Sequence, residues 1–369
     1  MILPESEIDQ RAFFAGALLG KENFSGSFIP LIPQMKKKGL CGLIYYRFRN
    51  DLPEKELKFC QKAYMQGAAA DMHQLAKYDE IAKIFADNNI KYCPLKGLAL
   101  AKEVYPSGAL RRRKDMDILL ESREDCQRAM ILMQENGWTS LFDNSNDRHC
   151  AEMVKDHIGC ELHWLLPGKE DPDFVKKLWQ NDFYTKENQY EYFIPAELHF
   201  AMLVSHEVIY HDFLNAAFRT LIDLGMLANR EGFDRGKALD YCCEFGISNA
   251  ECIFEAFPEV FGGSGDVKKY AVLRERFLGD SMSPDQFAVA DERFMSWGWI
   301  VERLKGFDPS WLRLKYNHGE KAGIIKMTGF FIKDLVSKIG KLFSFWCKRK
   351  NLSTDKVRID FSKKTLGIK

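Results

Sequence analysis

The chain has 369 residues, enough for about two domains that each bury a core. Its hydrophobic share of 46% and charged share of 28% are those of an ordinary soluble protein. A net charge of +1 excludes any whole-molecule attraction for nucleic acid or an anionic membrane, so such binding would need a local patch.

Residues up to about 90 read as helical, and apolar spacing predicts a helix from Glu54 to Asn88. Leu57, Tyr64, Leu75, Ile81, Ile84 and Phe85 fall on its buried side, and Asn88-Asn89 ends it. The apolar run Ile90 to Leu95 then enters Lys96-Gly97, and a helix from Leu98 to Tyr105 stops at Pro106-Ser107-Gly108. Asp115 to Leu120 reads as a strand, Arg123 to Asn136 as a helix closed by Gly137, and Trp138 to Phe142 as a further strand. Ile158 to Leu166 alternates and is β-rich, ending at Pro167-Gly168. Helical patterns return from Pro195, suited to a first turn, to about Phe257. Gly262-Gly263-Ser264-Gly265 separates them from a last helical, basic region. The organisation expected is a helical region over 1–89, an α/β core over 90–190, a second helical region over 191–260 and a mostly helical region over 266–369.

The ten cysteines have no disulfide-framework spacing, and Cys242 and Cys243 are adjacent. The N-terminus lacks the basic start and apolar core of a signal peptide, so reduced thiols and a cytoplasmic setting are expected. No segment has the roughly 18 uninterrupted apolar residues of a membrane span; 323–347 is broken by Lys326, Lys333, Asp334, Lys338 and Lys341.

The chemistry centres on Asp115-Met116-Asp117. Side chains on a strand repeat every two residues, so both carboxylates project from one face while Met116 and Ile118 point to the other. Two carboxylates held that close repel each other unless a cation lies between them, and Mg²⁺ or Mn²⁺ suits such a site. Alone, the pattern is also that of a solvated strand end. Its surroundings lift it. Lys96-Gly97 sits at a strand-to-helix turn where the backbone can approach a phosphate and the helix N-terminus offers free N–H groups. Lys96 and Arg111 are candidates to hold phosphate charge, Arg111 in bidentate fashion. In Cys160-Glu161-Leu162-His163-Trp164, Glu161 and His163 share a face. Glu161 would be the third carboxylate, either ligating a second metal or acting as the base that deprotonates an acceptor hydroxyl.

The ordered set PLKGLAL, Arg111, DMDILL and ELHW resembles an uncharacterised bacterial nucleotidyltransferase family of the polymerase-β superfold. The likeness continues through His206 and His211 into FRTLIDL, with Phe218, Arg219, Asp223 and Leu224, and spans roughly residues 55 to 230. The Lys-Gly start is also similar to the Lys-Gly-Gly of bacterial abortive-infection toxins with the same superfold. The resemblance implies an α+β fold: a small mixed-sheet core flanked by N-terminal and C-terminal helical regions. It implies Asp115 and Asp117 as metal ligands, Glu161 as the third acid, Mg²⁺, and a nucleoside triphosphate whose nucleotide moves to a hydroxyl. The acceptor stays open among small molecule, protein and RNA. The chain departs from the superfamily in its turn, where Gly-Ser is usual and Leu98 follows Lys96-Gly97, and in a longer interval before Asp115.

Other groups carry alternatives. His163 suits substrate contact or a structural hydrogen bond. His206 and Arg219 are candidate cleft residues through the resemblance, while Arg219 and Asp223 also have the i,i+4 spacing of a simple pair. His149, Cys150, His157 and Cys160 have a zinc-like composition but match no common zinc spacing. Gly262-Gly263-Ser264 spells a phosphate turn without an acidic strand after it, and reads as a linker. Arg111-Arg112-Arg113-Lys114 could attract a polyanion, though a solvated loop also explains it. The basic amphipathic segment 321–350 suits a terminal helix docked on the core, and also a peripheral membrane or protein contact. Two rival functions remain: a nucleotide-sugar glycosyltransferase using the Asp-x-Asp, and a non-catalytic binding or scaffold protein that keeps the fold.

Overall fold

A computed structural model describes residues 5–140, 150–186, 188–210, 217–279 and 359–368. His149, His211 and the basic segment 321–350 lie outside the described residues. Four helices open the chain: α1 (Glu5–Leu18), α2 (Ile32–Lys37), α3 (Cys41–Phe48) and the 34-residue α4 (Glu54–Asp87). Asn89 adopts a left-handed φ of +54°, which ends α4 at the Asn-Asn pair.

The sheet follows: β1 (Tyr92–Leu95), α5 (Lys96–Glu103), β2 (Asp115–Leu120), α6 (Arg123–Glu135), β3 (Thr139–Ser140), β4 (Cys150–Lys155) and β5 (Ile158–His163). Ser122 caps α6 by accepting from the Asp125 N–H at 3.0 Å, and Gly137, at φ +84°, closes its end. The five strands lie in the order β1-β2-β5-β4-β3. β2 and β5 are parallel, whereas β1–β2, β4–β5 and β3–β4 are antiparallel. The fold is therefore α+β with a small mixed sheet between helical regions.

Beyond the sheet come α7 (Pro172–Asn181), the short hairpin β6 (Tyr184–Thr185) and β7 (Tyr192–Phe193), then α8 (Ala196–Ser205), which runs into a π-helical turn at His206–Tyr210. After these follow α9 (Ala217–Ala228), α10 (Arg235–Glu244), α11 (Glu251–Ala256), α12 (Pro258–Phe261) and α13 (Ala271–Leu278). Pro195 stands one residue outside α8 as its N-cap rather than in its first turn. The Gly262-Gly263 pair, at φ +81° and +87°, forms part of the connection between α12 and α13.

Two apolar clusters organise the chain. On one face of the sheet, Met116, Ile118, Leu120, Cys160, Leu162 and Met153 pack with Tyr78, Ile81 and Phe85 of α4 and with Ala129, Met130 and Met133 of α6. Burying each of the Leu, Ile and Met side chains contributes about 1.5–3 kcal/mol. The second cluster joins α1 and α3 to α7 through α13, and among the described residues it reaches the five-stranded sheet through Cys93, Leu95 and Leu119. The remainder of that second sheet face carries Val154 on β4 but is otherwise largely polar, and it holds the candidate site.

Candidate active site

In the parallel pairing of β2 with β5, Asp117 stands beside Glu161, and Asp115 stands beside Gly159. Residues paired in this way point to the same face, so Asp115, Asp117, Glu161 and His163 share one side of the sheet. Gly159 offers no side chain next to Asp115, which leaves that carboxylate room. β1 delivers Lys96 to the same place, because Leu95 pairs with Asp117 and the chain then turns into α5. Lys96 makes this turn at φ +46°, a conformation that costs a non-glycine residue about 1–2 kcal/mol.

The side chains interlock. Lys96 Nζ donates to Asp117 Oδ1 at 2.7 Å and lies 4.0 Å from Glu161 Oε2. His163 Nε2 is 3.0 Å from the same Asp117 oxygen and 3.4 Å from Glu161 Oε2. Asp117 and His163 are buried, whereas the Glu161 side chain keeps 28% of its surface, so the cluster opens to solvent at Glu161. The Asp115 carboxylate has no hydrogen bond and no ion pair within 4.0 Å among the described residues.

Electrostatics follow from this packing. Burial opposes ionisation of Asp117, but the Lys96 ammonium and His163 outweigh it and hold its carboxyl well below the usual range. For Asp115 the balance is reversed: burial and the neighbouring carboxylates Asp117 and Glu161 outweigh the more weakly felt Lys96 and Lys114 and push it up to about 6. Burial works against the charge on Lys96 and His163 too, yet the surrounding carboxylates raise both. The donor set fits a divalent ion: three carboxylates crowd one face, and the one without a partner is strained by the other two. Asp115 and Asp117 could offer such an ion the hard oxygen donors that Mg²⁺ or Mn²⁺ prefers.

The turn at Lys96-Gly97 suits an anion in one respect. Leu95, the N-cap residue of α5, provides no side-chain cap, so the N–H groups of the first turn are left for another acceptor. Gly97 has a second role. A Cβ there would lie 3.2 Å from Arg113 Cβ and 3.6 Å from Arg111 Nη1, so its bare backbone lets the segment before β2 lie close over α5.

Arg111 differs from its sequence reading. Its fork is engaged by Asp223 rather than presented to the carboxylate cluster, with Nε donating to Oδ1 at 2.7 Å and Nη2 to Oδ2 at 2.7 Å. Nη1 donates to the Arg112 carbonyl at 2.8 Å. Tyr105 donates to the same Asp223 at 2.7 Å. Asp223 is therefore held by residues far along the chain and makes no ion pair with Arg219, the partner that helical spacing offered. Arg219 lies on α9 near this group; burial and the positive charge of Arg111 lower its pKa. Its Nε has no hydrogen-bond partner among the described residues. His206 opens the π-helical turn after α8 and is half-buried.

Cys150 is a member of this neighbourhood that its sequence context hid. It stands opposite His163 in the β4–β5 pairing, and its Sγ converges with Glu161 and His163, their ligand atoms lying within 4.8 Å of one another. Burial, followed by Glu161 and Glu152, pushes its thiol up to about 12. The usable signal was the Asp156-His157 dipeptide: a two-residue turn there places Cys150 across from His163. The zinc-like grouping of Cys150 with Cys160 separates in the structure, because Cys160 points into the apolar core on the other face.

A model of a family described as uncharacterised nucleotidyltransferases matches residues 30–257, a span that includes the five-stranded sheet and helices α2 through α11 but not α1. No curated protein and no solved structure matches the chain.

Proposed function

The chain belongs to this uncharacterised nucleotidyltransferase family, and from that premise we propose that it transfers a nucleoside monophosphate from a triphosphate to a hydroxyl, with Asp115, Asp117 and Glu161 as its acidic machinery. The observation that carries the reading is the pairing of Asp117 with Glu161 on adjacent parallel strands, with Asp115 two residues away on the same face. Asp115 and Asp117 would hold a divalent ion, Mg²⁺ or Mn²⁺, which supplies charge neutralisation for the triphosphate when bound.

The chain's own groups account for the remainder. Lys96 Nζ, 2.7 Å from Asp117, is close enough to the acids to balance phosphate charge beside them. The uncapped first turn of α5 offers its N–H groups to phosphate oxygens. Glu161, which keeps 28% of its side-chain surface, takes the proton of the acceptor hydroxyl; the hydroxyl oxygen bonds to the α-phosphorus as the bond to pyrophosphate breaks. His163 holds the Asp117 and Glu161 carboxylates in place through Nε2. The Arg111–Asp223 fork ties α9 to the segment leading into β2, and so positions the acid strand. The acceptor is a hydroxyl compound of the small-molecule, protein or RNA class.

Calorimetric titration of the full chain with ATP, GTP, CTP and UTP tests the reading. At least one triphosphate should bind in Mg²⁺ or Mn²⁺ and fail to bind when the metal is chelated. Absence of binding by all four under both metals overturns it.

A further inference from the structure

We propose that the Glu161 end of the cluster is a site for a thiophilic divalent ion of the Zn²⁺ class, with Cys150 Sγ, a Glu161 carboxylate oxygen and His163 Nε2 as its three protein ligands. The inference rests on the reading above in one respect: it names the ion taken by one end of the same cleft.

The three ligand atoms lie within 4.8 Å of one another, and all three residues sit on the paired strands β4 and β5 rather than on loops. Cys150 and His163 face each other directly across the two strands, and Glu161 lies two residues from His163 on the same face. His163 is buried, and the nitrogen that would ligate already points at the convergence of the carboxylates, 3.0 Å from Asp117 and 3.4 Å from Glu161. A hydrogen bond now occupies the direction in which a metal bond would form.

The donor chemistry selects the ion. Mg²⁺ prefers oxygen and has little use for a thiol, whereas one sulfur, one imidazole and one carboxylate make a borderline set suited to Zn²⁺ or Co²⁺. Three protein ligands leave a fourth position open, which is the arrangement of a catalytic rather than a structural zinc site. Glu161 keeps 28% of its side-chain surface, so the grouping can be reached from solvent on that side. Coordination converts the Cys150 thiol to thiolate and releases its proton to solvent. Asp115 and Asp117 remain as the hard oxygen pair, with Lys96 against Asp117, and one Glu161 oxygen as ligand leaves the other to take the acceptor proton.

The test is a Co²⁺ titration of the metal-free full chain, without nucleotide or Mg²⁺, followed by absorption. A thiolate-to-cobalt charge-transfer band in the near ultraviolet should grow with the visible bands of a four-coordinate ion. Zn²⁺ should then bleach both, and Cys150→Ser should lose the near-ultraviolet band. A wild-type spectrum without that band, or a band that Cys150→Ser leaves intact, overturns the proposal. Should the variant fold poorly, zinc-edge X-ray absorption of the wild type puts the same question. One sulfur ligand at about 2.3 Å supports the site, and a shell of nitrogen and oxygen alone overturns it. Neither measurement involves a triphosphate, so failure here and failure of the nucleotide reading are separate results.

Discussion

The two faces of the five-stranded sheet are made by the same strands and have opposite characters. On one, Met116, Ile118 and Leu162 pack against α4 and α6 as a closed apolar layer. On the other, their immediate neighbours Asp115, Asp117, Glu161 and His163 crowd like charges together and hold them with Lys96. The molecule thus divides its labour between the two faces. The apolar face supplies the stability that allows the polar face to be electrostatically strained, and residues one position apart in β2 or β5 serve opposite ends.

Changes on the two faces should therefore fail in different ways. The largest effect expected is from Asp117→Asn, which removes the carboxylate proposed to hold the metal and the partner of Lys96 at 2.7 Å. Triphosphate affinity in Mg²⁺ should fall by about 10³-fold, or about 4 kcal/mol, as read by calorimetry. On the opposite face, Leu162→Ala should cost about 3 kcal/mol of unfolding free energy in urea, while the folded fraction keeps its nucleotide affinity. A loss of affinity there as large as that of Asp117→Asn would break the division of the faces.

Two buried histidines sharpen the same contrast. His163 lies among carboxylates that favour its charged form, whereas His199 of α8 is buried and its Nε2 has no hydrogen-bond partner among the described residues. Burial, followed by Arg111 and Arg230, lowers its pKa to about 3. The folded chain thus keeps His199 neutral while the unfolded chain takes up a proton below about pH 6.5. Stability should fall with pH in that window, by about 2 kcal/mol between pH 6.5 and pH 5 from this group. Urea unfolding of the wild type and of His199→Gln across that range reads it; the variant should show the shallower slope. The smallest effect expected is a gain. Asp115→Asn removes a carboxylate crowded by two others and should raise stability in chelator by about 1 kcal/mol, an advantage that Mn²⁺ erases by stabilising the wild type alone.

The acid face was legible because β2 carries both faces in its own alternation: Asp115 and Asp117 alternate with Met116 and Ile118, so one strand announces a core side and a charged side. Glu161 and His163 repeat the pattern in β5. β4 was hidden because Asp156 and His157 form its turn at φ +50° and +64° without the glycine that usually marks such a hairpin, and with it went the placement of Cys150. Arg111 was readable as an important cation but not as the partner of Asp223, since the two lie 112 positions apart and only tertiary packing joins them. α7 gives a weak signal in the sequence although Asp171 caps it and Pro172 opens it, because its apolar face, Phe174, Val175, Leu178 and Trp179, spans fewer than two turns.

The most direct test of the account is a crystal structure with Mn²⁺ and a non-hydrolysable triphosphate, the ion being located by its anomalous scattering. The account predicts Mn²⁺ bound by Asp115 and Asp117 and sharing the triphosphate, with phosphate oxygens at the first turn of α5. A triphosphate bound elsewhere on the molecule, or an ion that avoids the Asp115–Asp117 face, would contradict it.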